Sequence, residues 1–252
     1  GVVRVADAEM VRALRVISVA RGIDPRGMSL VAFGGAGGLH ALALAEELGI
    51  GRVLVPEVAG VLSALGLAIS DLRRDLVVTL HAPLDRLDPE LVGVARDRMA
   101  ARVAAELDRP ALELRADARY LGQSFELTLP AEPLATLAQR FHGTHEQRFG
   151  YRMDSEAAEL INLRLIATAA VRKPALKSGA VTGDRSVLGQ RTAVIGGREH
   201  SVPVLARSRM GAGSEVAGPA IVEFSDATCL VRPGWRGRVD PIGTLILERY
   251  GT

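Results

Sequence analysis

One segment near the start of the chain constrains the fold more than any other. It begins with a continuous apolar run at residues 30–33, which is typical of a strand buried on both faces of a parallel sheet. Residues 34–38 include four glycines, and an Ala/Leu/Glu-rich stretch of helical character then runs through residues 39–48. Gly49 ends that helix, and residues 53–55 form a second short apolar strand. The order strand, glycine loop, helix, strand predicts a βαβ unit.

The glycine loop of this unit is the best candidate for a ligand contact. Glycines lack the Cβ that would keep a phosphate or a flat base away from the backbone, and the N–H groups at a helix N-terminus attract anions. A tight strand-to-helix turn needs fewer than four glycines in five residues, so a ligand contact is favoured over a purely structural turn. The predicted contact residues are Gly34, Gly35, Ala36, Gly37, Gly38 and His40.

A dinucleotide is the first ligand that such a loop suggests. Gly35 and Gly37 begin the dinucleotide fingerprint, and Glu57 after the second strand is placed to hold a ribose. The third glycine is missing, because His40 occupies its place. The phosphate loop that carries a lysine is absent as well. A nicotinamide-dependent oxidoreductase is therefore the least favoured of the functions considered.

The rest of the chain has a different pattern of predicted helices, strands and turns. A helix is predicted to open the chain with Asp7 as its N-cap, and proline and aspartate residues around Pro83 indicate a junction. Beyond it follow two helical stretches, alternating strands and, after a predicted linker at residues 172–184, short strands separated by glycine turns. We therefore predict an α/β domain over residues 1–82 and an α+β, β-rich region over residues 83–252.

Composition excludes several classes of function. Arginine and lysine number 31 against 29 acidic residues, and no basic run or aromatic platform suggests nucleic-acid binding. One cysteine rules out a disulfide framework, and no apolar run is long enough for a membrane span. We expect a cytoplasmic protein that binds neither nucleic acid nor membrane. Because two short strands cannot form a stable sheet alone, the isolated chain is also expected to expose apolar surface and to self-associate.

Several segments, in this order and spacing, resemble the hydantoinase A/5-oxoprolinase family. The resemblance extends over nearly the whole chain. The segments that carry it are Asp24 to Arg26, Val31 to Ala41 with the glycine loop, Val53 to Pro56, Gly60 to Gly66, Arg119 to Gln123, His145-Glu146 with Phe149 to Tyr151, Gly218 to Glu223, and Pro233 to Trp235. Members of that family include subunits of ATP-dependent cyclic-amide hydrolases and of related ketone carboxylases.

The resemblance implies an ATPase fold and an incomplete ATP site. The family is similar to the actin-like and sugar-kinase-like ATPases, in which two Asp-x-Gly-Gly phosphate loops precede a glycine loop that contacts adenosine. This chain has the third element and no Asp-x-Gly-Gly segment. The implied cofactors are ATP and Mg²⁺, with the phosphate-binding part on another segment or subunit. The implied partners are an N-terminal hydantoinase A-type segment and a large hydantoinase B-type subunit.

Two further groups of side chains are candidates for a role. Arg119 and Gln123 flank a strand break, where they could bind a carboxylate or an amide of the substrate, form a subunit contact, or pair internally with Asp117. His142 and His145 lie three residues apart on a predicted helix. That spacing suits two metal ligands but provides no third, so a solvated or capping pair is the preferred interpretation and no metal site is predicted.

The sequence leaves three functions open. The first is hydrolysis of a cyclic amide by an ATP-dependent complex of which this chain is a subunit or fragment. The second is ATP-dependent carboxylation of a ketone, and the third is a non-catalytic assembly subunit with a vestigial glycine loop. Cys229 lies in an apolar run and is expected to be inert, and Ser63 lacks the context of a nucleophile, so no catalytic residue is assigned.

Overall fold

The computed structural model describes residues 1–153, 155–173 and 186–250. Its helices, in chain order, are α1 (Val2–Ile17), α2 (Gly37–Leu48), α3 (Leu62–Ile69), α4 (Pro89–Ala104) and α5 (Leu137–Phe149). Its strands are β1 (Ser29–Val31), β2 (Arg52–Val55), β3 (Leu72–Pro83), β4 (Ala111–Tyr120), β5 (Leu127–Pro130), β6 (Ala158–Ala169), β7 (Val187–Ile195), β8 (Arg198–Ala206), β9 (Glu215–Ala217), β10 (Ala220–Glu223), β11 (Thr228–Val231), β12 (Trp235–Val239) and β13 (Leu245–Arg249).

The chain forms two compact units, and one of them is made of two separate segments of the sequence. The first unit combines residues 1–68 with residues 174–252, and the second comprises residues 69–173. The proposed division at residue 82 differs from this arrangement in two ways. Strand β3 belongs to the second unit, and the C-terminal strands return to the first. The division into residues 1–82 and 83–252 therefore stays a prediction about family segments rather than about compact units.

The first unit is built around a mixed five-stranded sheet in the order β1-β2-β13-β12-β9. Strands β1 and β2 are parallel and are joined through α2, as the predicted βαβ unit requires. Strand β13 pairs antiparallel with β2, so that Leu247 lies opposite Val53. The sheet is thus completed by strands from the end of the chain. This corrects the premise that the two N-terminal strands lack neighbours within the chain.

A second sheet of the first unit lies in the order β11-β10-β8-β7, and α2 packs against its edge strand β11. The shared core includes Leu42 from α2, Val53 from β2 and Trp235 from β12, all fully buried. Trp235 donates a hydrogen bond from Nε1 to Glu46 Oε1 at 2.9 Å. The indole therefore fills apolar volume while its single donor remains satisfied.

Helix α1 packs on α2 and starts earlier than the sequence suggested. It begins at Val2 with Gly1 as its N-cap, so the prediction that Asp7 caps the helix is wrong. Asp7 lies inside the helix instead. Its carboxylate is used in a contact with α2 that local sequence could not indicate.

The second unit is an antiparallel sheet in the order β3-β6-β4-β5, covered by α4 and α5. Its separate core includes Leu76, Val103, Phe141 and Leu163. The predicted break at residues 121–123 is present, since β4 ends at Tyr120 and β5 begins at Leu127. The predicted linker at residues 172–184 lies outside the described residues beyond Lys173. Within the described ranges, no helix has both the length and the apolarity needed to span a bilayer.

Candidate functional site

The glycine loop connects the carboxyl end of β1 to the N-terminus of α2. Gly34 turns the chain with a φ of 82° and donates from its N–H to Ala59 O at 2.7 Å. Gly37 donates back to Gly34 O at 3.1 Å. The carbonyl oxygen of Gly35 accepts from Thr228 N at 3.3 Å. The loop is thus held from two sides, by the loop after β2 and by the turn between β10 and β11.

The fold itself requires two of the four glycines in this loop. Gly34 has a left-handed conformation, which glycine adopts without strain. At Gly38, an added Cβ would lie 2.7 Å from Thr228 O and 3.0 Å from Cys229 Cα. Helix α2 therefore approaches β11 so closely that no side chain fits at position 38. Burial raises the pKa of the Cys229 thiol to about 12, which agrees with its predicted inert role.

The fold does not require the other two glycines. Neither Gly35 nor Gly37 has a positive φ, and an added Cβ at either would meet its nearest neighbour at 3.7 Å, an ordinary contact. The N–H groups of Gly35 and Ala36 donate no hydrogen bond within the described residues, and both residues are exposed. These two unpaired donors lie between two glycine positions and a helix N-terminus, and together they form a surface that can receive polar or anionic atoms.

The turn between β10 and β11 supports the loop and was not recognised from the sequence. Gly60, in the segment after β2, lies so close to Asp226 that a Cβ there would overlap the backbone of Asp226. Oδ1 of Asp226 is buried and has no hydrogen-bond partner in the described part of the chain. Only the tertiary fold brings Asp226 to Gly35 and Gly60, so no local signal could have revealed it.

His40, in the first turn of α2, is paired with Asp7 of α1. Nδ1 of His40 lies 2.6 Å from Oδ1 of Asp7, and the two side chains are 22% and 21% exposed. The carboxylate accepts and the imidazole donates. The predicted site residue His40 is therefore held by a second residue whose role the sequence did not indicate.

Glu57, the residue suggested for a ribose, lies at the carboxyl end of β2 and beside a buried arginine. Arg207 is 4% exposed and donates from Nη1 to Met210 O at 2.5 Å and from Nη2 to Gly243 O. A Cβ at Gly243 would overlap the Glu57 carboxylate. Burial lowers the pKa of Arg207, while the negative charges of Glu57 and Asp240 act in the opposite direction. Glu57 thus offsets the charge of a buried arginine.

In the second unit, Arg119 and Gln123 are placed differently from one another. Nε of Arg119 donates to Glu159 Oε1 at 2.9 Å across β4 and β6, so the suggested pairing with Asp117 is wrong. The backbone N–H of Gln123 donates to Tyr120 O at 3.1 Å in the turn after β4. The structure gives Arg119 an internal partner, and a role of either residue in binding substrate or a subunit stays a prediction.

Asp117 belongs to its own buried network. Its carboxylate accepts from Thr128 Oγ1 at 2.7 Å, Arg164 Nη2 at 2.8 Å and Asn162 Nδ2 at 3.3 Å. Burial by itself would raise the pKa of Asp117, but the hydrogen bonds from Thr128 and Arg164 outweigh it, and the pKa is lowered. This carboxylate is satisfied by protein groups and acts within the sheet.

His142 and His145 both have hydrogen-bond partners within the protein. Nδ1 of His142 lies 2.7 Å from the Tyr120 hydroxyl, which also accepts from Met153 N at 2.9 Å. His145 is 1% exposed and donates from Nδ1 to Tyr151 O at 2.8 Å. The described residues contain no group of three potential metal ligands. The solvated alternative of the preferred interpretation is therefore wrong, because both rings pack against Tyr120. The capping alternative fits His145, whose partner Tyr151 O lies just beyond the end of α5.

Comparison with family models accounts for most of the chain. Residues 1–76 match the hydantoinase/oxoprolinase model, and residues 108–249 match the model of the hydantoinase/oxoprolinase C-terminal domain. The chain belongs to the hydantoinase/oxoprolinase family. The glycine loop and His40 lie in the segment matched by the first model. The turn at Asp226, which supports the loop, lies in the segment matched by the C-terminal domain model.

Named relatives of this family member include amide hydrolases. The chain is 32% identical to caprolactamase subunit alpha of Pseudomonas jessenii over 97% of its own length and 38% of the relative's. It is 28% identical to the 5-oxoprolinase PfmaA of Pestalotiopsis fici over 98% of its own length and 20% of the relative's. It thus spans less than half the length of these relatives.

Solved structures show the same architecture. The ATP-dependent caprolactamase of Pseudomonas jessenii matches all of the chain and 40% of the solved chain, with a TM-score of 0.69 and 30% identity. Nucleotide-free acetone carboxylase matches 99% of the chain and 39% of its own, with a TM-score of 0.84 and 20% identity. The mixed α/β fold with several sheets is therefore shared with both enzymes, and for the carboxylase the likeness concerns the fold alone.

Proposed function

We propose that this chain supplies the adenosine-binding part of an ATP-dependent enzyme that hydrolyses a cyclic amide. One observation carries the proposal: Gly35 and Gly37 are glycines that the fold does not require, and the N–H groups of Gly35 and Ala36 are unpaired and exposed. The structural-turn alternative explains Gly34 and Gly38 but leaves these groups without a purpose. An actin-like ATPase fold for the first unit fits this interpretation and remains part of the proposal.

The residues of the glycine loop fit the adenosine end of ATP, and the described residues offer no site for its Mg²⁺. The backbone at Gly35 and at Gly37 can lie against the adenosine end, because glycine has no Cβ to block the approach. The described residues offer no cluster of metal ligands, so Mg²⁺ and the phosphates would be held by another segment. When bound, ATP would supply the phosphoryl group that turns an unreactive carbonyl oxygen into a leaving group. This chain's own contribution is to orient the nucleotide, which is the main task of a protein in phosphoryl transfer.

Cyclic-amide hydrolysis is preferred over ketone carboxylation on the strength of the relatives. The caprolactamase likeness extends to sequence at 32% identity, whereas the likeness to acetone carboxylase is one of fold. ATP-dependent carboxylation of a ketone is the second candidate. It uses the same activation of a carbonyl oxygen, so the glycine loop would serve both reactions equally.

The proposed partners are argued from an apolar sheet edge that is exposed in this chain. Strand β1 is at the edge of its sheet, and Val31 at its end and Phe33 just after it are 45% and 52% exposed. An apolar sheet edge is a surface that another chain segment can cover. We propose that an N-terminal hydantoinase A-type segment carrying the phosphate loops lies there. A large hydantoinase B-type subunit would complete a cytoplasmic hetero-oligomer, since the caprolactamase relative is itself described as a subunit alpha.

Nucleotide turnover in the assembled enzyme tests the proposal. The chain is purified with its native partners, and ATP hydrolysis is measured with caprolactam, 5-oxoproline, hydantoin, or acetone with bicarbonate. Stimulation by a cyclic amide supports the first candidate, and stimulation only by a ketone with bicarbonate supports the second. An assembly that neither binds nor hydrolyses ATP would leave a non-catalytic role. Binding of NADH without any response to ATP would instead favour the oxidoreductase.

A further inference from the structure

The contact between Asp7 and His40 gives the candidate nucleotide site a feature that the glycine loop alone does not have. It joins the middle of α1 to the first turn of α2 by a short hydrogen bond of 2.6 Å. Both side chains are mostly buried. The contact therefore pairs His40 with a carboxylate 33 residues earlier in the chain.

The carboxylate determines which nitrogen of His40 carries the proton. Ionised aspartate accepts and cannot donate, so Nδ1 of His40 must be the protonated nitrogen. In the neutral ring Nε2 then presents a lone pair and acts as an acceptor. Nε2 has no hydrogen-bond partner in the described part of the chain and is not among its buried unpartnered atoms. With Asp7 as the partner of Nδ1, a neutral His40 therefore keeps Nε2 as its hydrogen-bond acceptor.

The position of His40 in the helix is close to the loop. Side chains in an α-helix lean toward its N-terminus, which here is the glycine loop. His40 is the fourth residue of α2, one turn from Gly37. An acceptor near a cradle of N–H donors provides the complementary polarity. The donors suit phosphate or ring nitrogen atoms, and the acceptor suits a hydroxyl or amino group.

We propose that Nε2 of His40 accepts a hydrogen bond from a ribose hydroxyl of the nucleotide, and that Asp7 is the positioning residue that keeps His40 in the required tautomer. This inference rests on the proposed function, because it needs a nucleotide at the glycine loop. Phosphate oxygens are acceptors at neutral pH, so a neutral Nε2 gains nothing from them. Among the groups at the adenosine end, the ribose hydroxyls and the adenine amino group can donate.

The first test is the tautomer of His40, and it needs no nucleotide. ¹⁵N nuclear magnetic resonance of the imidazole nitrogens at pH 8.5 should show the proton on Nδ1 in the wild-type chain. Asp7→Asn should shift the population toward the Nε2-protonated form, because an amide can donate as well as accept. The matched control is Glu9→Gln, a carboxylate-to-amide change two residues away on the exposed side of α1, where Glu9 pairs with Arg12. It should leave the His40 signals unchanged.

The second test uses the assembled enzyme and a set of nucleotides. Wild type should bind ATP about 3- to 10-fold more tightly than the 2′-deoxy or the 3′-deoxy analogue, the effect expected of one neutral hydrogen bond. His40→Phe should abolish that preference, and Asp7→Asn should reduce it, while Glu9→Gln keeps it. Inosine triphosphate, which lacks the adenine amino group, should lose affinity equally in wild type and His40→Phe.

The outcomes separate this inference from the proposed function. If wild-type enzyme does not bind ATP, the proposed function fails. If ATP binds and wild type and His40→Phe discriminate equally among the ribose analogues, the ribose contact is wrong although the loop site stands. A loss of discrimination against inosine triphosphate alone in His40→Phe would assign the acceptor to the adenine amino group and overturn the proposal. An Nε2-protonated His40 in wild type would overturn the role of Asp7.

Discussion

The glycine loop and the cluster around Tyr120 show opposite uses of short sequence motifs. In the loop, the N–H groups of Gly35 and Ala36 remain unpaired and exposed after the chain has folded. Around Tyr120, His142 shares a hydrogen bond with the Tyr120 hydroxyl and His145 donates to a backbone carbonyl, both within the unit. The motif rich in potential ligand groups is thus part of a core, and the motif without side chains is the one left open. In the loop the unpaired donors are exposed and can receive a ligand, whereas the unpaired Nε2 of His145 is buried.

The same contrast exists within the loop. Gly34 and Gly38 are required by backbone conformation and by the approach of β11, whereas Gly35 and Gly37 are not. A glycine that neither folding nor packing requires is the better indication of a ligand. Substitutions in the loop and in the Tyr120 cluster can therefore test the two roles separately.

The largest effect is expected from Gly38→Val. Its Cβ would lie 2.7 Å from Thr228 O, where the obstacle is backbone and cannot rotate away. Overpacking of this kind should lower the free energy of unfolding by about 3 kcal/mol. Urea denaturation of wild type and variant measures it. A change in unfolding free energy no larger than that of Gly35→Val would show that α2 and β11 are not tightly packed at this point.

Gly35→Val should leave stability nearly unchanged and weaken ATP binding. The nearest atom to its Cβ is Asp226 O at 3.7 Å and no positive φ is involved, so the melting temperature should change little. ATP affinity of the assembled enzyme should fall at least about 10-fold, or about 1.4 kcal/mol, because the side chain occupies the space of the nucleotide. Calorimetric titration at matched stability is the measurement. Unchanged affinity would return the whole loop to a structural turn.

Tyr120→Phe probes the buried cluster around Tyr120. The change leaves Met153 N–H and His142 Nδ1 without the hydroxyl with which they share hydrogen bonds. Buried groups that lose a partner cost about 1 kcal/mol in unfolding free energy. ATP affinity should not change. If ATP affinity fell while stability was preserved, the cluster would have to be counted as part of a binding site.

The smallest effect concerns acid stability and Asp117. Its folded pKa lies below its ordinary value of 3.8, so its ionised form stabilises the fold above that value and this contribution is lost as pH falls through the lowered pKa. Asn keeps a side-chain oxygen that can accept from Arg164, so Asp117→Asn should lower stability at neutral pH by only about 1 kcal/mol. The difference from wild type should shrink below pH 4. Denaturation between pH 3 and pH 7 measures it, and a constant difference would mean that the Arg164 pairing contributes nothing.

Local sequence by itself determined the βαβ unit, the break after Tyr120 and the family. Apolar runs, glycine loops and helix periodicity are short-range signals, and each of these features lies within a short stretch of residues. Family membership could be predicted as well, because the order and spacing of several segments are read along the chain. For the candidate site, the sequence predicted the loop residues and His40, and these stay predictions. It did not indicate which of the loop glycines the fold requires.

Tertiary structure decided everything that depends on residues far apart in the chain. The pairing of β13 with β2 completes the first sheet, the turn at Asp226 supports the glycine loop, and Asp7 orients His40. Local propensity gives no information about such contacts, since Asp7 looked like a helix cap and His145 like a surface histidine. A hydrogen bond or a close approach forms only where packing brings two elements together, and packing is a property of the whole fold.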